Sequence, residues 1–316
     1  MAATLILLTG FTSWAKPTRR NKPPPVVEQQ ETEIDEMAVN DQRWVSTTGN
    51  LGAAASWYPS EVPEALDRLF FDGASQVSAN VNMSAFSAFE LAKIWISSPY
   101  YGDIGANGNP LACKVRWLIH EGQGALYHAY ADCATESTSC VINSPNKHNA
   151  YTLTSTNTGS SLSLYLLNGQ TTIAPAVTNI YRMMVGSTNV GSYPIVDIRP
   201  TTSVIQTYYQ SSGYVRAVGG AGATTIIDGG VFIYDATGAA NWGTTVFING
   251  GVFKYNGTGI VPMIYVTSGG TLDMTGDTRA KALSYLTLMP GSTFLTHENV
   301  TVAHPTDLRG PSPILP

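Results

Sequence analysis

His120 and Glu121 are the residues that come closest to a metal-site motif, because they begin as the helix of a zinc protease begins. That chemistry needs a second His three residues after the Glu, so that both imidazoles share one helical face with the carboxylate between them. The next His is His128, and the intervening EGQGAL is turn-like, so no metal site is expected. The three cysteines are Cys113, Cys133 and Cys140. Cys133 and Cys140 bracket the polar loop ATESTS and could close it as a disulfide in an oxidising compartment, yet an odd count is equally typical of reduced synthesis. A reactive thiolate wants a general base beside it and the sequence places none, so all three read as structural. Glycosidic hydrolysis would need two carboxyl groups roughly 5 to 10 Å apart. Asp228, Asp235, Asp273 and Asp277 are the acids of the regular C-terminal region, and Asp235 with Asp273 is the pair to test. Asp228 shares a turn position with Asn249 and Ser268, where a side-chain oxygen caps the local backbone. Asp277 lies beside Arg279 and Lys281. No two acids recur at one position of consecutive repeats, so the expectation is a non-enzymatic chain with no cofactor. Sequons at Asn82, Asn256 and Asn299 are what chance supplies in a chain rich in Asn, Ser and Thr.

The elements that would position any of these residues are short strands that recur. TTIIDGGVFIY, TVFINGGVFKY, YVTSGGTLDM and TLMPGSTFLT align on Gly229, Gly250, Gly269 and Gly291. Short strands punctuated by Gly turns at a period near twenty residues predict a β-solenoid. Three residues after each Gly stand Phe232, Phe253, Leu272 and Phe294, and two further on stand Tyr234, Tyr255, Met274 and Thr296. Alternation along a strand sends this set inward as a stacked ladder. Three residues before each Gly, Ile226, Phe247, Val266 and Leu288 are expected on the inner face too. Lys254 and Asp273 should meet on adjacent coils as an exposed ion pair. Less regular strand and turn pairs, such as Leu164 to Gly169, extend the pattern, and at about 21 residues per coil residues 44–316 allow roughly a dozen coils.

Composition fits a rigid, low-charge β-protein. Only 12% of residues are charged and the net charge is -5, so the clustered Lys and Arg that nucleic acid requires are missing. Residues 1–43 differ in kind: an apolar start, the basic and proline-rich KPTRRNKPPP, then the acidic EQQETEIDE, with no useful period. They read as an extended arm that orders by lying on a partner subunit, with Lys16, Pro17, Arg19, Arg20, Lys22, Pro23, Pro24 and Pro25 as its contact residues. A secretory leader fits poorly, because the basic residues follow the apolar run instead of preceding it. That run is also too short to span a bilayer. The compact part is expected over 44–316, with 44–75 as a front cap and 303–316 as a tail.

Two stretches resemble known proteins. Gly49-Asn50, Trp57, Val62-Pro63, Asp67 and Phe71-Asp72-Gly73 resemble the opening segment of many bacterial and phage β-helix proteins, with Leu51 where that pattern prefers Trp. LAKIWISSPYYGDIGANGNPLACKVRWLIHEGQGALYHA, with YTLTS and LSLYLLNGQTTIAP, resembles a group of tailed-bacteriophage structural proteins of right-handed parallel β-helix type. The likeness covers roughly residues 44 to 200 and carries no catalytic signature. It implies a single-stranded right-handed parallel β-helix and a virion component, first of all a capsid decoration or cement protein, in many copies or as a homo-oligomer and bound to other virion subunits. Nucleic acid and membrane are not expected as partners. One alternative is a receptor-binding fibre or spike that grips glycans through Tyr208, Tyr209 and Trp242. Another is an exported adhesin or polysaccharide-active enzyme.

Overall fold

The computed structural model describes residues 41–310 apart from 131–137, 147, 149, 155–161, 176, 178, 187–192, 200–203, 220, 237–241 and 259. The chain divides into two units, Met1–Met37 and Ala38–Pro316, and every described residue belongs to the second. Apart from Trp57–Tyr58, which pairs antiparallel with the first strand, its strands stack in parallel as a β-solenoid, from Asp41–Trp44 to Val300–Asp307. Each coil adds a strand to a first sheet and, from Leu111 onward, a strand to a second sheet. Among the described residues the second sheet holds ten strands. A uniform period overestimates the number of coils, since registered strand positions lie from 17 residues apart (Tyr209 to Ile226) to 27 apart (Arg43 to Phe70).

Side-chain alternation fills the bore as expected. Val215, Phe232, Phe253, Leu272 and Phe294 are registered one above another, and the Phe232 and Phe253 rings lie 5.5 Å apart. Beside them Tyr234 stacks on Tyr255 at 5.3 Å. Phe232, Phe253 and Leu272 are fully buried, whereas Phe294 is half-buried because it lies in the last coil of the second sheet. The first sheet contributes a matching inward column, Ile227, Ile248, Val266 and Leu288.

That column corrects two expectations. Ile226 and Phe247 face outward, not inward, and are half-buried on the outer wall. The cause is turn length: three residues separate the strands at 228–230 and 249–251, against four at 267–270 and 289–292. Counting back from a common Gly therefore slips by one residue, and a one-residue slip reverses the face.

The corners explain the glycines. A Cβ on Gly229 would stand 2.2 Å from the Ser211 carbonyl oxygen, and one on Gly270 would stand 2.1 Å from that of Ile248. Coils approach there closer than any side chain allows. At the front, Trp44, Trp57, Phe71 and Phe86 form an aromatic plug with ring centroids 5.1 to 6.0 Å apart, and the Trp57 indole donates to the Leu51 carbonyl at 2.9 Å. Asp41, Gln42 and Arg43, assigned by sequence to the arm, belong to the first strand and pair with Arg68–Phe71. At the rear, residues 303–307 complete the last strand instead of starting a tail. This strand is largely exposed.

Candidate functional site

The solenoid wall separates residues that are neighbours in sequence. His120 replaces an aliphatic residue in an inward column between Ile96 and Ile142, is buried, and donates from Nε2 to the Ala150 carbonyl at 2.9 Å. Glu121 lies on the outside and accepts the Trp95 indole N–H at 3.0 Å. The two therefore share no site. His128 is also buried, bonded through Nδ1 to the Tyr151 hydroxyl at 3.2 Å and through Nε2 to the Cys113 thiol at 3.6 Å. Burial lowers both imidazoles to about 4, so both are neutral at physiological pH. Cys113 and Cys140 are buried in the bore. Cys133, the expected disulfide partner of Cys140, lies outside the described residues. Among the described residues no three His, Cys, Asp or Glu side chains gather closely enough to hold a metal.

The carboxylates are each held by a neighbour. Asp228 accepts from the Tyr209 hydroxyl at 2.9 Å and from Asn249 Nδ2 at 2.7 Å. It thus bonds to the coils on either side, where the sequence led us to expect a local backbone cap. Asp235 accepts from Arg216 at 2.6 Å. Asp273 meets Lys254 at 3.7 Å, the ion pair read from the repeat, and accepts from the Thr275 hydroxyl at 2.6 Å. Burial works to raise the Asp273 carboxyl, but the Thr275 bonds and Lys254 outweigh it and the net shift is downward. Asp277 is pulled down to about 2, against the opposing effect of burial, by Arg279 and Lys281. Asp235 and Asp273 lie two coils apart and at different strand positions, which puts about 10 Å between them along the axis alone.

The aromatic residues offered for glycan contact divide. Tyr208 and Trp242 are fully buried in the bore, packed on Phe232 at 5.1 and 4.7 Å, and cannot reach a ligand. Tyr209 alone of the three faces outward. Of the sequon residues, Asn299 donates to the Thr278 carbonyl at 2.9 Å. The arm residues Lys16, Pro17, Arg19, Arg20, Lys22, Pro23, Pro24 and Pro25 lie outside the described residues. Near the front, Asp41, Arg43, Tyr58, Pro59, Phe70 and Asp72 line an open groove of about 310 Å³.

A feature missed in the sequence is the outer face of the first sheet. Register places Phe70, Trp95, Ile119, Val141 and Tyr165 in one outward column. The same column continues through Met184, Tyr209, Ile226, Phe247, Tyr265 and Thr287. From Phe70 to Thr287 no member carries a charge, and in front of Phe70 the column ends on Arg43, which is paired with Asp72 at 2.5 Å. Most are half-buried by their neighbours, and Phe247 stacks on Tyr265 at 5.1 Å with the rings 13° from parallel. The corresponding outward column of the second sheet is different, since it includes Asp197, Arg216, Lys254 and Asp273. A signal for the stripe was present in sequence, but its members are spaced by irregular coil lengths and share no residue type.

Comparison with protein-family models, curated proteins and solved structures finds no match.

Proposed function

We propose that this chain is a non-enzymatic architectural component of a bacteriophage particle, a capsid decoration or cement protein whose N-terminal segment anchors on neighbouring virion subunits. The observation that carries the architectural reading is the uncharged outward stripe of the first sheet. A row of large apolar groups along a solenoid suits burial against protein, whereas a soluble enzyme gains nothing from it. The carboxylates that polysaccharide cleavage would recruit hold neighbouring coils together instead. The phage setting rests on the sequence resemblance. The test is co-sedimentation of the protein with particles that lack it, comparing the full chain with a truncation that begins at Asp41 and so keeps the first strand. The full chain should bind to saturation and the truncation should fold yet stay in the supernatant. Binding of the truncation at full occupancy would remove the anchor from the proposal.

A fibre that contacts glycans is the second reading. The front groove favours it, because Tyr58 is 68% exposed there beside Arg43 and two carboxylates. Tyr58→Ala would then abolish binding to host cells.

A further inference from the structure

We infer that the outward stripe of the first sheet is covered by the same stripe of a second copy of this chain. The inference rests on the architectural reading above and names the partner of that face. Three observations support it. The stripe carries no charge from Phe70 to Thr287, so two copies meet on it without desolvating ions, whereas the second sheet would have to bury its exposed ion pairs Arg216–Asp235 and Lys254–Asp273. Flanking cations do not spoil this. In the neighbouring outward column Arg68 is paired with Asp41 at 2.7 Å, and Lys93 and Arg182 lie over the Trp95 and Tyr181 rings at 5.3 and 5.8 Å.

The second observation is periodicity. Side chains on this face recur once per coil, about every 4.8 Å, and the row is about 50 Å long. A partner whose surface lacks that repeat interdigitates over a few coils at most. Another copy matches it along the whole row.

The third is area. Two outward columns span about 15 Å with their side chains, so the face offers about 700 Å² against the roughly 800 Å² per partner of a stable interface. Its side chains are already restrained, as in the stacked pair Phe247 and Tyr265, so little rotamer freedom is lost on docking.

The experiment is sedimentation equilibrium of the full chain over about 1 to 100 μM, which reads association of micromolar strength or tighter. Phe247→Glu and Met184→Glu are compared with Tyr214→Glu, a half-exposed position on the opposite sheet. The wild type and Tyr214→Glu should associate alike, and each stripe variant should weaken association at least about tenfold. Phe247→Thr keeps a strand-forming residue and should weaken it less, so a folding defect in the Glu variant does not leave the question open. A wild type that is monomeric throughout overturns the inference, as does association that stripe variants leave unchanged. A monomer whose stripe variants lose particle binding places the stripe on the shell, which overturns the second copy and leaves the proposed function standing. An oligomer that ignores particles keeps the second copy and sinks the phage reading.

Discussion

Gly270 shows how one residue type sets the solenoid's pitch. Its missing Cβ would lie 2.1 Å from the Ile248 carbonyl, so Gly270→Ala must push two coils apart at the corner. We expect a loss of about 1 to 3 kcal/mol, read as a lower urea midpoint at unchanged slope. His120 and His128 set the response to acid. Both bind a proton in the fold only near pH 4, against an ordinary value of 6.5. Between those values the unfolded chain takes up protons that the native chain refuses. Stability is therefore full above about pH 6.5 and falls as pH drops, by roughly 3 kcal/mol per imidazole at pH 4. Denaturant titrations at neutral and acid pH should show that fall, and His128→Leu should remove about half of it. A flat profile would mean that the rings are hydrated in the fold. At this scale identity misled the sequence reading: Tyr208 and Trp242 look like ligand grips, but nothing local says which wall an aromatic residue faces.

At the scale of a coil, the stacked ladder is the main source of stability. Phe253 is buried between Phe232 and Leu272, so Phe253→Ala should cost about 3 to 5 kcal/mol, while the half-buried Phe294 should cost clearly less. Thermal unfolding of the two variants checks the order, and equal losses would contradict the burial difference. The solenoid was legible because four consecutive coils keep similar length and carry Gly at their corners. The inward set after each Gly was read correctly, as was the meeting of Lys254 with Asp273. The set before each Gly was half wrong, because the first two corners have three residues and the next two have four, and only coordinates reveal which is which. Earlier coils, stretched to as many as 27 residues, keep the same inner columns but hide them behind long excursions.

For the molecule as a whole, the distribution of charge matters more than its amount. The -5 net charge says little, yet the second sheet registers Asp197 on Arg216 and Lys254 on Asp273, while the first sheet's central column holds no charge from Phe70 to Thr287. That asymmetry could not be read along the chain, since each column takes one residue per coil. The last strand, Val300–Asp307, adds a different consequence. It pairs with Lys281–Leu288 along one edge, and among the described residues no strand continues the stack beyond it. In a stack whose layers touch only those above and below, melting has a preferred starting place. Deuterium uptake should be fastest at Val300 to Asp307 and slow progressively toward the tryptophan-packed front, so that the protein peels from its rear as a zipper does.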